Sequence, residues 1–397
     1  MYVDIAIVGG GIAGLSVAME LSKYNIDVAV IEKNNDVGLE TTSTNHNLIC
    51  QGADSLSFRP GTLHAELNIK SIPLWPKLSK NLNFKFKRIG GIWLIRDKVD
   101  YQKFLKLKSR SFKQSTKPDA PYYIPKEDFT PVEFIDRKTV LDMEPYINKD
   151  ILGALYDPNL ATVDPKEVAK AYAENANYNG VKFLLNTEVK MIRREGIGFS
   201  IETNNGNIKA SFVINAAGIN IDRIADFVKA KNFSYVPLKG TITDFDEEIG
   251  KMINHEVHVL PRNEAPNMVT ALPTIHGNFR SGIYMELTYR SNNEVTKYAV
   301  DYNINVAKKL FPDINFENHI IKSFTGFMAY TNPDTGWHDF VIDIPEYVPN
   351  WINILLGPAG VSASPMIGKY VVELIKNTGF KIEEKSNYSP TGRKVIS

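Results

Sequence analysis

The sequence predicts a doubly wound α/β domain, assembled from separated stretches of chain, joined to an α+β domain built on an antiparallel sheet. Three observations carry this expectation. Asp4-Ile5-Ala6-Ile7-Val8 reads as a buried strand that runs into Gly9-Gly10-Gly11-Ile12-Ala13-Gly14, and Leu15 to Asn25 continues as a helix, the order of a dinucleotide-binding unit. Two further apolar runs end in small residues far along the chain: Phe212-Val213-Ile214-Asn215-Ala216-Ala217-Gly218, and Trp351 to Leu356 before Gly357-Pro358-Ala359-Gly360. Between them, residues 235 to 325 are rich in short strand-like segments such as Val257-His258-Val259-Leu260 and Ile283-Tyr284-Met285-Glu286-Leu287.

Each element has a local reason. Gly9 permits the tight turn after the first strand, Gly11 lets backbone approach a pyrophosphate, and Gly14 lets helix and strand pack closely, while the helix start offers free amides to phosphate. A second strand, Asp27 to Ile31, ends in Glu32, placed to accept hydrogen bonds from an adenosine ribose. The chain then turns polar through Thr44, as suits a loop feeding a cleft. Gly90-Gly91-Ile92-Trp93-Leu94-Ile95 is the next strand, and Pro118, Pro121, Pro125 and Pro131 mark an irregular connection. Asp164 caps a helix, Pro165 occupies its first turn and Gly180 ends it, before the strand Val181 to Leu185.

Composition narrows the function classes. A chain of 397 residues with net charge +1 buries a large core and carries no global attraction for nucleic acid. Its one cysteine, Cys50, excludes an internal disulfide and a cysteine-only metal cage, so no metal site is expected. No apolar run reaches the roughly 18 to 20 residues of a membrane span, and a cytoplasmic protein is expected. Residues 101 to 117 carry Lys103, Lys106, Lys108, Arg110, Lys113 and Lys117 without an acid, a solvated basic face or a docking surface for the inner face of the cell membrane.

The glycine turn alone admits NAD or FAD. A nicotinamide enzyme commonly completes its site within one contiguous domain, whereas here the chain returns to the nucleotide domain several times, which favours a flavin. The expected FAD-binding domain comprises residues 1–80, 140–225 and 320–397, and the substrate domain residues 81–139 and 226–319.

The chain resembles the FAD-dependent oxidoreductases related to D-amino acid oxidase, and among them the FAD-dependent glycerol-3-phosphate dehydrogenases. The resemblance rests on the opening glycine turn, Thr44 to Ala53, Glu144-Pro145, Gly153 to Pro158, Val163-Asp164-Pro165, Val213 to Gly218 with Asp222, and Gly360-Val361-Ser362-Ala363-Ser364-Pro365. L-2-hydroxyglutarate dehydrogenases share most of these features; the Asn45-His46 pair tips the reading toward glycerol phosphate. Two departures stand out: Cys50 where both branches usually have histidine, and Met328 where a substrate-binding arginine often follows the Phe324-Thr325-Gly326-Phe327 strand.

The resemblance implies FAD contacts from Gly9, Gly11, Ile12, Ala13, Gly14, Glu32, Lys33, Thr42, Ser43, Asn45, His46, Asn47, Leu48, Val189, Ala216, Gly218, Gly357, Gly360, Val361 and Ser362. It implies oxidation of sn-glycerol 3-phosphate to dihydroxyacetone phosphate by hydride transfer to flavin N5. A base must take the hydroxyl proton, and His46 is the candidate because imidazole titrates near neutrality; a histidine that only packs on the flavin is the competing assignment. Phosphate calls for Arg or Lys on the cleft-facing sheet: Lys239, Arg262 and Arg280 are candidates, with His258 and Tyr284 on the same face. The expected partners are a small phosphorylated alcohol and a quinone or electron-transfer protein as acceptor, reached through a membrane-anchor partner or by peripheral membrane contact. A homodimer stays open. The rival readings are an L-2-hydroxyglutarate or amine/amino acid oxidase on the same scaffold, and a non-catalytic flavin-containing binding subunit.

Overall fold

Period-two alternation decides how the opening strand sits. In the computed structural model, which describes residues 1–50, 62–105, 132–259, 269–288, 292–331 and 339–396, Ile5 and Ile7 enter one apolar core while Ala6 and Val8 enter another on the opposite face. Both faces are covered, as a parallel sheet requires. Nineteen strands, β1 to β19 in chain order, fall into three sheets among the described residues.

The first sheet holds β1 (Tyr2–Val8), β2 (Val28–Ile31), β9 (Lys182–Leu184), β10 (Val189–Glu195), β11 (Gly198–Thr203), β12 (Gly206–Asn215), β18 (Val341–Asp343) and β19 (Trp351–Leu355). Its centre is parallel in the order β19, β12, β1, β2, β9. The helices Ile12–Leu21 and Gly360–Asn377 cover one face through Val17, Leu21, Ile367 and Val371. The other face packs on Phe199, Ile201, Ile224 and Trp351. The doubly wound α/β expectation is therefore met, with the Phe212 to Asn215 run beside β1 and the Trp351 run beside that.

The second sheet follows the order β17 (Ile320–Thr331), β13 (Tyr235–Phe245), β16 (Phe279–Leu287), β15 (Thr270–Pro273), β14 (Glu256–Val259), β5 (Gly91–Ile95), β7 (Gly153–Asp157) and β6 (Glu133–Asp136). It is antiparallel except where β14 runs parallel to β5. The helix Lys297–Leu310 backs it, and Phe245, Phe279, Val306, Leu310 and Phe316 fill the space between. β7 and β17 sit in this sheet although the expected boundaries at residues 140 and 320 assigned them to the nucleotide domain. Their own sequences mark them as strands, but only long-range pairing selects their sheet. A small third sheet, β3 (Leu48–Ile49), β8 (Ala161–Val163) and β4 (Phe86–Arg88), packs on the helices Ile12–Leu21 and Pro165–Tyr178.

The helix Pro165–Tyr178 starts as expected: Asp164 accepts from the amides of Lys166 and Glu167, and Pro165 takes the first turn. No helix among the described residues is long and apolar enough to cross a membrane. Most of the basic 101–117 stretch, from Lys106 onward, lies outside the described residues, as do Arg262 and the segment after Cys50.

Candidate active site

A cavity of about 780 Å³ opens between the first two sheets, within the size range of ligand pockets. At one end lie the turn after β1, the end of β2, and the segments Thr187–Val189 and Ala216–Asn220. At the other lie Asn45, His46, Cys50, the β13–β16–β17 face and Gly357–Val361.

The glycine turn is built by contact. Gly9 adopts φ +111°, and a Cβ there would lie 2.4 Å from the carbonyl oxygen of Ala216. A Cβ on Gly14 would lie 2.1 Å from the Gly9 carbonyl. On Gly11 it would meet nothing closer than the Thr42 hydroxyl at 3.5 Å, so this glycine keeps room for a ligand rather than for the fold. The Ile12–Leu21 helix begins at Gly11 without a side-chain cap, though Thr42 Oγ1 accepts from the Ile12 amide at 3.0 Å and ties the following loop to the helix start. Glu32 is buried, its two oxygens accepting from the amides of Gly10 at 2.7 Å and Asn34 at 2.9 Å. This fixes the carboxylate at the end of β2. Lys33, Val189, Arg223 and Phe227 complete that end.

The segment from Thr42 to Leu48 is held from four directions. The Asn45 side chain donates to the Thr42 carbonyl at 2.6 Å and accepts from the Asn47 amide at 2.9 Å. Asn47 sits in the left-handed region at φ 63°, and its carbonyl accepts from the Val163 amide and the Thr162 hydroxyl, each at 3.1 Å. Arg280 donates through Nη1 to the Asn45 carbonyl and to Asn47 Oδ1, each at 2.8 Å. A Cβ on Gly326 of β17 would lie 2.4 Å from the Thr44 carbonyl, so glycine there lets the loop seat on the sheet.

His46 is thereby clamped on both sides. It lines the cavity, is 9 % exposed, and its Nε2 is buried without a hydrogen-bond partner. Burial lowers its pKa from 6.5 to about 3, reinforced by the charges of Arg280 and His258. The imidazole is neutral at physiological pH.

The late glycine turn closes the site. Ala359 takes φ 64° at the start of the Gly360–Asn377 helix, which has no side-chain cap there, and Gly360 and Val361 line the cavity. Ser362 does not line it. Its hydroxyl accepts from the Cys50 amide at 3.0 Å and its carbonyl accepts from Trp75 Nε1 at 3.0 Å, pinning β3 to the helix. Cys50 is half-buried on the cavity wall.

The structure brings together most of the expected cofactor residues: Gly9, Gly11, Ile12, Ala13, Glu32, Lys33, Thr42, Asn45, His46, Leu48, Val189, Ala216, Gly218, Gly357, Gly360 and Val361 all line the cavity. Gly14, Ser43, Asn47 and Ser362 lie behind it; Ser43 donates instead to the carbonyls of Leu39 and Glu40.

Of the expected substrate residues, His258 alone lines the cavity; Arg262 lies outside the described residues. Lys239 is a correction. Leu238, Gly240 and Ile242 of β13 face the cavity, so the alternate residue points away, where its ammonium meets Glu286 at 2.8 Å and the Glu294 carbonyl at 2.9 Å. Tyr284 is another: it packs on Tyr298 and Tyr302 of the backing helix. Arg280 is the third. Its guanidinium forms a bidentate pair with Asp244, stacks over Phe324 at 5.0 Å and holds the His46 loop. Sequence reasoning missed Asp244, Thr44, Gly326 and Met285, for which no local signal exists, and Tyr330, which strand alternation from Met328 would have reached.

The donor set suits a dinucleotide: an uncapped helix start, a glycine with open space at its Cβ, and a fixed carboxylate at the end of the second strand. Comparison with known proteins agrees. A family model described as FAD dependent oxidoreductase matches residues 4–374. A glycerol 3-phosphate dehydrogenase of Caloramator mitchellensis is 33 % identical over 99 % of this chain and 78 % of its own length. A glycerol 3-phosphate oxidase of Mycoplasma genitalium is 29 % identical, covering 98 % of this chain and 97 % of its own. The dithionite-reduced L-α-glycerophosphate oxidase of Mycoplasma pneumoniae, solved with FAD bound, superposes with a TM-score of 0.86 at 26 % identity, covering 98 % of both chains.

Proposed function

Because the chain belongs to the FAD-dependent oxidoreductase family, we propose that it oxidises sn-glycerol 3-phosphate to dihydroxyacetone phosphate. The observation that carries this reading is His46: a neutral imidazole clamped at the cavity wall, with a ring nitrogen committed to no protein donor. The names of the related dehydrogenase and oxidases support the substrate.

The flavin, when bound, supplies the acceptor for the hydride that leaves the carbinol carbon. The chain supplies the rest. The Gly9 to Gly14 turn and its helix start would hold the pyrophosphate, Glu32 the adenosine ribose, and Ala359 to Val361 the ring end. His46 takes the hydroxyl proton on Nε2 as the carbon–oxygen double bond forms, so a hydride and a proton leave the alcohol, two electrons and two protons in all. Its depressed pKa keeps it unprotonated before substrate arrives; an anion docking in the same cavity opposes the charges of Arg280 and His258 and strengthens the base. Asn45 and Asn47, gripped by Arg280, orient the ring. The electrons leave to a quinone, an electron-transfer protein or oxygen.

Anaerobic mixing of the FAD-loaded protein with glycerol 3-phosphate, L-2-hydroxyglutarate, sarcosine and D-amino acids tests the reading. Bleaching of the flavin absorbance by glycerol 3-phosphate is expected. Bleaching by one of the others alone moves the protein to another branch of the family, and an unchanged spectrum with all of them would make it a binding subunit.

A further inference from the structure

The cavity wall supplied by the second sheet is apolar over most of its extent: Leu238 and Ile242 of β13, Ile283 and Met285 of β16 and Met328 of β17. An oxyanion placed against such a wall loses its hydration and gains no partner. Among the described residues, only one side chain on this wall other than the Tyr330 phenol can ionise, and it is His258. It is 8 % exposed and comes from β14, facing the same space as His46.

His258 has a carboxylate behind it. Glu256, two residues back on the same strand face, is 1 % exposed and places Oε1 3.5 Å from His258 Nδ1. The hydroxyl of Thr270, directly across in β15, donates to the same Oε1 at 2.7 Å, while Oε2 is buried without a hydrogen-bond partner. The ring leans on Trp93 at 5.1 Å, opposite it in β5. A carboxylate beside Nδ1 orients the imidazole, leaving Nε2 for the cavity. His258 and His46 line the same cavity, so one ligand can meet both.

We propose that His258, backed by Glu256, seats the anionic end of the substrate: an oxyanion of a phosphate or carboxylate accepts a hydrogen bond from the ring Nε2–H. The proposal rests on the reading that this cavity oxidises an anionic secondary alcohol, and it assigns the substrate's charge to a histidine–glutamate pair rather than to an arginine or lysine. The alcohol end then lies toward His46.

The test uses the FAD-loaded His258→Gln, His258→Lys and Glu256→Gln variants. Inorganic phosphate and, separately, malonate are titrated into the oxidised proteins, and the perturbation of the flavin absorbance gives a dissociation constant without turnover. The reductive half-reaction with glycerol 3-phosphate is then compared with that of uncharged glycerol. His258→Gln is expected to weaken anion binding at least tenfold and to raise the half-saturating glycerol 3-phosphate by a similar factor. The loss should fall on glycerol 3-phosphate more than on glycerol, so that the ratio of the two half-saturating concentrations changes by a similar factor. His258→Lys should restore binding and Glu256→Gln weaken it, so the pair is tested even if one variant loses its flavin. The relative affinities for phosphate and malonate identify which oxyanion the seat prefers. Unchanged anion binding in His258→Gln, or equal losses for glycerol and glycerol 3-phosphate, overturns the proposal while leaving the oxidation itself intact. Anion binding through His258 in a wild-type protein that glycerol 3-phosphate does not reduce would retain the seat and reject the substrate.

Discussion

Arg280 and Asp244 form a buried bidentate pair, with Nε to Oδ1 at 2.6 Å and Nη2 to Oδ2 at 2.8 Å. The remaining guanidinium nitrogen reaches both neighbours of His46. A strand pair in one sheet thus sets the orientation of an imidazole on a loop from elsewhere in the chain. Removing one partner of such a pair strands a buried charge, at a cost of about 3–5 kcal/mol. Asp244→Asn and Arg280→Met are expected to lower unfolding stability by that order and to slow flavin reduction, because the loop loses its anchor. Denaturant unfolding and stopped-flow reduction of the same samples check both effects; full stability in Asp244→Asn would show that the pair is not the anchor.

His46→Gln keeps a similar shape without a basic nitrogen. The variant is expected to bind FAD as the wild type does and to be reduced about 10² to 10⁴ times more slowly, the usual contribution of a positioned base. Rapid-mixing spectroscopy measures this directly, and a wild-type reduction rate would remove His46 from the proton transfer.

The depressed pKa of His46 also links stability to pH. Above pH 6.5 the folded and unfolded chains both carry a neutral His46, so this group adds no pH dependence. Between pH 6.5 and about 3 the unfolded chain takes up a proton that the folded one refuses. Stability therefore falls with decreasing pH, by up to about 1.4 kcal/mol per pH unit from this residue. His46→Gln should flatten the dependence between pH 7.5 and 5, measured by denaturant midpoints; parallel curves for the two proteins would contradict the assignment.

Two glycines should separate cofactor binding from chemistry. A Cβ on Gly14 would sit 2.1 Å from the Gly9 carbonyl, so Gly14→Ala disturbs the dinucleotide turn and should yield protein depleted of flavin. Gly326→Ala instead pushes on the Thr44 carbonyl at 2.4 Å. That variant should retain flavin and lose reduction rate, and flavin-to-protein ratios beside reduction kinetics distinguish the two. Equal flavin loss in both would mean that the His46 loop also governs cofactor retention.

The dinucleotide turn was legible because its geometry is local: strand, glycines and helix are contiguous, Gly14 answers a contact with Gly9 and Gly9 one at a neighbouring strand end. The helix opened by Asp164 was legible for the same reason. Pairing and facing were not. Lys239 and Leu238 are adjacent, yet one meets Glu286 behind the sheet and the other lines the cavity, a difference set by strand register alone. Arg280 reads in the sequence as a candidate phosphate binder because its partner, Asp244, lies 36 residues away on another strand. β17 carries the pattern of a strand, but its hydrogen bonds to β13 decide which sheet it joins.

The cavity also has an order of completion. Its glycine turn is synthesised before Ile354 to Val361, which complete the cavity wall and follow some three hundred and forty residues later. At ribosomal rates of about 5–20 residues per second that gap lasts roughly 20–70 s. During that interval the nascent chain has half a binding site and no closed pocket, so FAD cannot act as a template for its early folding. Flavin supplied to cells should therefore rescue a slow-folding variant only after the chain leaves the ribosome, and chains stalled before β19 should gain no protease resistance from it.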